Sequence, residues 1–455
     1  QAPLDQVVPL VRRALKVLSD REVSPQLGLL KSTLLQLDST FSEREYGAGS
    51  FRDFMEKVAA AGAVTLKHAG RSMLVEPVED GPGEAQTVAP APAGAATTAP
   101  LPFVLGASAG VGFAFFLMEL VWYRMLAPLL GGSSYTFGLI LAVALAGIGA
   151  GGLLYAAGSP DRRPSLVSFG ATCAVEALCL IVPFALGDRL AVLALLLRPL
   201  GDAGFLPLTL VWTVIAGIVV FPAALVAGYQ FPLLVAVLGT GREGVGREVG
   251  LTYAWNTLGA ILGSFAGGFG LLPLLTAPGT WRLVTGLLLL LAIAALVLGL
   301  RSKEPRSNEP RPRLAIPVAA GLIAALLATA AGPSAFWRHS PIGAGRMKAT
   351  FQNANELDEL ITERRLAVAW EAEGVESSIA MDDLNQIIFT VNGKADGSAL
   401  RDAPNMVMSV LIGALFHPRP RNTLVIGLGA GTSAGWLAEV PSVERVEVVE
   451  LEPAV

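Results

Sequence analysis

Asn422-Thr-Leu-Val-Ile-Gly-Leu-Gly-Ala-Gly-Thr-Ser433, followed by Val446-Glu-Val-Val-Glu450, decides how this chain is read. The apolar run Leu424-Val-Ile predicts a buried strand, Gly427 to Gly431 a glycine loop, Thr432-Ser a helix start, and Val446 to Val449 a second strand closed by an acid. Gly427, Gly429 and Gly431 let the backbone turn tightly and approach a ligand, and a helix N-terminus favours anionic groups. Thr432 stands where a dinucleotide fingerprint has its third glycine. Glu450, 23 residues after Gly427, is placed to accept hydrogen bonds from ribose hydroxyls. A glycine loop alone is weak, but loop, helix start, strand and acid together point to a nucleotide-type cofactor. With five residues after Glu450, the stretch reads as the truncated start of a doubly wound α/β domain over 419–455.

Composition gives the rest of the chain a different solvent. Of 455 residues, 53% are hydrophobic and only 15% charged, and the apolar excess lies between about residues 102 and 332, as in a membrane protein with soluble ends. A net charge of −4 is too small to suggest a polyanion partner for the whole chain. Cys173 and Cys179 are six apart on one apolar segment and point to different sides of a helix, so they do not pair. His68, His339 and His417 have no metal-ligand spacing, and no metal site is expected.

Spans are predicted at about 102–126, 135–157, 166–186, 206–227, 249–272, 281–300 and 314–331. Leu190–Leu200 and Phe231–Leu238 are too short to cross. The charged loops at Asp161-Arg-Arg, Gly241 to Glu248 and Arg301 to Arg313 fall on one side if seven spans are right. Positive-inside makes that side cytoplasmic and puts the C-terminal domain outside, where an adenosyl-type cofactor is not expected. An eighth span, a non-crossing 314–331 or a wrong cofactor reading would each remove the conflict, and a miscounted span is the reading taken.

Glu119 and Glu176 are the candidate acids placed within the spans. An ionisable group in hydrocarbon costs at least ~2.5 kcal/mol and requires a partner or a water-filled pocket. Each acid is read either as a structural hydrogen bond to another span or as having a transport or substrate role. Arg124 is near enough to its span's end to snorkel. The glycine faces Ala146-Gly-Ile-Gly-Ala-Gly-Gly152 and Gly259 to Gly268 read as close helix packing.

At the other end, helices are expected over Leu4–Leu18, Ser24–Leu37 and from Ser50 through Val58, then a hairpin of Val64–Lys67 and Ser72–Val75 with a turn at His68-Ala-Gly70. Three helices and a hairpin make a winged helix over 1–79. The stretches Leu34 to Phe41 and Tyr46 to Phe54 resemble a LOTUS (OST-HTH) domain covering roughly residues 5–76. That resemblance implies RNA or a protein partner, although Arg12, Arg13, Lys16, Arg52, Lys57, Lys67 and Arg71 alternate with acids as on a solvated face. Residues 80–101, rich in Pro, Ala, Gly and Thr, read as a flexible linker.

Between the membrane block, placed at 102–332, and the glycine loop lies a β-rich cap over 337–418. Arg365 to Asp383 and Gln386 to Lys394 alternate like strands of a small antiparallel sheet, with a turn at Asp382–Asn385, and Asn405–Phe416 is a helix. Glu119-Leu-Val-Trp-Tyr-Arg-Met-Leu, Ala224-Leu-Val-Ala-Gly-Tyr-Gln-Phe-Pro and Gly250-Leu-Thr-Tyr-Ala-Trp-Asn-Thr-Leu-Gly resemble the multi-span part of bacterial membrane-fused spermidine-synthase-like proteins. The resemblance covers about 103–455, including a cap before a methyltransferase-like domain. It implies a polyamine aminopropyltransferase in the bacterial inner membrane, with its general base expected beyond Val455. The substrate it implies is decarboxylated S-adenosylmethionine, or S-adenosylmethionine itself, bound at Gly427, Gly429, Gly431 and Glu450, with an amine or other small-molecule acceptor and a homo-oligomer as an open assembly. The chain departs from that pattern at Ala430, where spermidine-forming members carry an acid. It departs again at Met406 and Ile412, where they carry a tyrosine and a histidine. The other classes weighed are a membrane transporter with a cytosolic nucleotide-like sensor domain and a membrane-bound methyltransferase acting on an apolar acceptor.

Overall fold

The computed structural model describes residues 7–20, 27–37, 41, 43–61, 64–69, 72–77, 99–158, 164–238, 245–301, 312–347, 351–383 and 387–455. They form two compact units, Gln1–Pro92 and Ala93–Val455.

The first unit holds α1 (Val8–Asp20), α2 (Leu27–Leu37), α3 (Phe51–Ala60), and the antiparallel pair β1 (Val64–Ala69) and β2 (Ser72–Pro77). Apolar residues recur at helical spacing in α1 and α3 and meet in one core. Val11, Leu15 and Leu18 pack with Leu30, Leu34, Phe54, Met55 and Val58. Ser50 caps α3 by accepting from the Asp53 N–H at 3.2 Å, an exchange typical of helix starts. The expected hairpin turn is shorter than its sequence reading. His68 pairs with Met73 and Ala69 with Ser72, so both are strand residues. The proposed cap at Ser24-Pro25 and most of the 80–101 linker lie outside the described residues.

The second unit begins with α4 (Leu101–Leu130), α5 (Ser134–Ala156) and α6 (Leu166–Leu186). Capping boxes at Ser133/Thr136 and Ser165/Ser168 start the latter two. Then come α7 (Asp188–Leu197), α8 (Phe205–Val219), α9 (Phe221–Leu238), α10 (Val245–Ala266), a π turn at Gly267–Leu271, α11 (Leu272–Arg301) and α12 (Pro312–Leu327). Five helical segments are long and apolar enough to cross a membrane, with Gly246–Arg301 counted as one of 56 residues. That segment breaks at Thr276 (φ 64°, ψ 165°). Asn256 and Gly263 meet Ser108 and Phe113, so α10 runs parallel to α4. Gly299 meets Val167 while the Trp281 indole donates to the Leu180 carbonyl, so α11 runs antiparallel to α6.

The predicted span at 206–227 is corrected. Val220 ends α8, and Pro222, with no N–H to donate, sits in the first turn of a new helix. The piece at 231–238, read as too short to cross, is the second half of that 18-residue helix. The glycine faces pack as expected. Gly147 and Gly151 meet the α9 backbone, and Gly259 and Gly263 meet Ala109 and Phe113 on α4.

After α12 the chain forms α13 (Ala335–His339), α14 (Ala354–Ala367) and a four-stranded antiparallel sheet in sequential order. Its strands are β3 (Val368–Glu373), β4 (Ser378–Asp382), β5 (Ile388–Val391) and β6 (Lys394–Ser398). Residues 365–367, read as strand, belong to α14, and Asp382, read as turn, ends β4. Leu384 and Asn385 of the predicted turn lie outside the described residues. The chain then runs through α15 (Ala403–Phe416), β7 (Asn422–Ile426), α16 (Thr432–Ala438) and β8 (Arg445–Val449). β7 and β8 are parallel neighbours, Asn422 opposite Arg445 and Ile426 opposite Val449.

Candidate functional site

The glycine loop follows β7 directly, and each of its three glycines has a positive φ: 88° at Gly427, 54° at Gly429 and 75° at Gly431. An L-side chain is strained in that region, which is why glycine stands at all three. Among the described residues, apart from its two chain neighbours, none comes within 4 Å of where a Cβ on Gly427 would stand.

Glu450 leaves the end of β8 and turns back on the loop. One carboxylate oxygen accepts from the Leu428 N–H at 2.6 Å and the other from the Glu452 N–H at 2.9 Å. Hydrogen bonds from the Glu452 and Leu428 amides hold its carboxyl below the usual carboxylate range. Each carboxylate oxygen has a second lone pair, so the acid can hold the loop and accept from a ribose hydroxyl together. The structure therefore brings Gly427, Gly429, Gly431 and Glu450 together on two adjacent strand ends.

Two further residues belong to this neighbourhood and escaped the sequence reading. Glu452 is buried, and its carboxylate accepts from the backbone N–H groups of Val375, Glu376 and Ser377 at 3.0, 2.8 and 3.0 Å. The repeat Glu450-x-Glu452 was the available signal. Asp396 on β6 faces the loop, and a methyl group built on Gly429 would stand 3.6 Å from its Oδ2.

The same β3–β4 turn is gripped from the other side by the membrane helix. Arg124 Nη1 donates to Glu373 at 3.1 Å and to the Gly374 carbonyl at 3.2 Å, while Nη2 donates to the Val375 carbonyl at 3.0 Å. The expected snorkelling of Arg124 is corrected: its side chain is 7% exposed and is satisfied by the cap instead of by water. Burial pushes Glu373 up against the opposing pull of Arg124. Nearby, burial also raises Glu371, but the His339 hydrogen bond and the Arg338 charge outweigh it and hold Glu371 down at about 2.

Of the departures from the family pattern, Met406 lies against β6, where its terminal methyl occupies the space beside Gly397. Ile412 is 46% exposed on α15, so neither residue offers a polar group to a ligand.

The acids within the apolar helices are not part of this constellation. Glu176 on α6 is buried and accepts from the Gln230 amide of α9 at 2.6 Å, the hydrogen bond between helices weighed from sequence. Glu119 is half-buried on α4, and among the described residues it has no hydrogen bond or ion pair. The π turn packs beside it, Gly267 lying against Leu117 and Leu120. Among the described residues, no group of three His, Cys, Asp or Glu side chains could hold a metal ion.

No family model matches the chain, and no solved structure matches it. Curated polyamine aminopropyltransferases of Mycobacterium tuberculosis and Mycobacterium bovis are each 29% identical to it over 369 residues, covering 77% of this chain. The chain spans 61% of the length of those relatives. This distant similarity and the long apolar helices together fit a membrane protein of spermidine-synthase-like kind.

Proposed function

We propose that this chain belongs to an integral membrane aminopropyltransferase whose βαβ unit holds the adenosyl group of decarboxylated S-adenosylmethionine. The observation that carries the reading is the left-handed triplet Gly427, Gly429 and Gly431 tied through Leu428 to Glu450. The similarity to polyamine aminopropyltransferases supports it. In this reading the loop backbone approaches the sulfur-bearing side of the nucleoside, and Glu450 accepts from the ribose hydroxyls. An amine nitrogen attacks the carbon beside the sulfonium; the new C–N bond forms as the C–S bond breaks, and its electron pair leaves a neutral thioether. The protein's contribution is to hold both reactants in line, with a base taking the proton of the attacking amine. No residue of this chain is assigned as that base.

The helix directions support seven passes, with α8 and α9 joined as one broken pass and α10 and α11 as two. The helix ends flanking the three charged segments then share a face with the start of α4, and the cap sits on the other. Loop charge alone would place the cap outside; the adenosyl reading requires it in the cytoplasm. A single cysteine at Glu376, in a background free of Cys173 and Cys179, checks this in whole cells. Protection from a membrane-impermeant thiol reagent is expected, and labelling would contradict the reading.

The direct test incubates the purified protein with decarboxylated S-adenosylmethionine and a panel of diamines, and follows methylthioadenosine by mass spectrometry. Release that depends on the diamine is expected. Methyl transfer from S-adenosylmethionine instead would replace this reading with the methyltransferase. A transporter reading draws on one observation, that Glu119 beside the π turn has no hydrogen bond or ion pair among the described residues. It predicts that Glu119→Gln abolishes solute movement and leaves turnover intact. For the N-terminal unit, with its three helices and hairpin, the proposed reading is a LOTUS-like winged helix with an RNA or protein partner. RNA affinity falling steeply with salt would be the mark of the former.

A further inference from the structure

The glycine loop contains no acid, since Ala430 and Leu428 occupy its two non-glycine positions. The ligand of the proposed reaction nevertheless carries its positive charge on the arm that extends from sulfur past this loop. Beside Glu450, a second carboxylate approaches the loop from a different element. Asp396 sits on the exposed side of β6 with Oδ2 3.6 Å from the Cβ position of Gly429. Among the described residues it has no hydrogen bond or ion pair, unlike Glu450 and Glu452, whose carboxylates are engaged by backbone N–H groups. Gly397, the next residue on β6, is packed by Met406, which fixes this part of the strand against α15.

We propose that Asp396 is the specificity-determining residue of the site, receiving the ammonium of the ligand's aminopropyl arm across the glycine loop. The inference rests on the adenosyl reading above and extends it by naming which form of the ligand fits. Decarboxylated S-adenosylmethionine presents a sulfonium and an ammonium with no anion, so a lone carboxylate complements it. S-adenosylmethionine adds a carboxylate to the same arm, and Asp396 repels it. An acid on the cap strand thus serves where the loop position at Ala430 supplies none. It also makes the cap, and not only the βαβ unit, part of the ligand site. Selectivity then comes from attraction to one form and repulsion of the other.

The test compares Asp396→Asn with the unmodified protein in detergent by calorimetry, using three probes. These are decarboxylated S-adenosylmethionine, S-adenosylmethionine, and 5′-methylthioadenosine, which keeps the nucleoside and sulfur but has no cationic arm. The expected result is a loss of about tenfold or more for the decarboxylated form, the scale of a hydrogen bond between charged groups. Methylthioadenosine affinity stays within about twofold, and the gap between the two cationic ligands narrows. Equal losses for all three would make Asp396 structural and overturn the proposal. Unchanged binding of the decarboxylated form would overturn it while leaving the adenosyl reading standing. Failure of the unmodified protein to bind even methylthioadenosine would remove the adenosyl reading and this inference together.

Discussion

The β3–β4 turn and the β7–β8 pair are joined through Glu452, yet they are stabilised in opposite ways. The turn buries polar groups and satisfies them: Arg124 takes its carbonyls, Glu452 its N–H groups, and Glu373 neutralises the arginine. The strand pair exposes apolar groups, with Ile426 at 81% and Val449 at 56%. Parallel strands are ordinarily covered on both faces. The first region is therefore a fixed platform between membrane and cap, where removing one partner strands another in low dielectric. The second is an open edge whose geometry depends on a few backbone bonds and two acids.

Breaking the platform should cost most. Arg124→Ala leaves Glu373 buried without its counter-charge and two carbonyls without donors. Destabilisation of about 3–5 kcal/mol is expected in denaturant titrations of the detergent-solubilised protein. Glu452→Gln should cost less, about 1.5–3 kcal/mol, because a charged acceptor of three N–H bonds becomes a neutral one. Hydrogen exchange would locate the effect, with faster exchange at Val375, Glu376 and the β7–β8 amides and none at β5–β6.

Acid sharpens the same contrast. Glu371 is held near 2, against an ordinary 4.5, so its contribution is complete above the ordinary value and is lost as pH falls toward the folded one. Thermal stability should decline between about pH 4.5 and 2, and Glu371→Gln should flatten that limb. The open edge should barely respond to surface polarity. Ile426→Ser removes an exposed side chain, so a change within about 0.5 kcal/mol is expected from melting curves.

Much of this division was legible in the sequence, and its limits have physical causes. The glycine loop and Glu450 were readable because their chemistry is local: a tight turn, a positive φ and an acid at a strand end fall within one stretch. The long apolar helices were readable by length and composition, but not the break at Val220, since apolar residues continue on both sides and only Pro222 marks it. The α14 helix was overlooked although Asn353 and Glu356 carry its start signal, the Asn353 side chain accepting from the Asn355 and Glu356 N–H groups. Arg124 was seen as a charge near a span end, while its partner Glu373 lies 249 residues away, and no periodicity links such a pair. Asp396 lies beyond the predicted strands, which end at Lys394, and carried no signal until the fold set it on β6 against Gly429.

The central claim is that the edge formed by Gly427, Gly429, Gly431 and Glu450 binds an adenosyl group. Calorimetric titration of the intact protein with decarboxylated S-adenosylmethionine, beside Glu450→Ala, tests it most directly. Saturable binding that weakens at least about tenfold in the variant is the expected result. Binding that is absent, or equally strong without the Glu450 carboxylate, would contradict it.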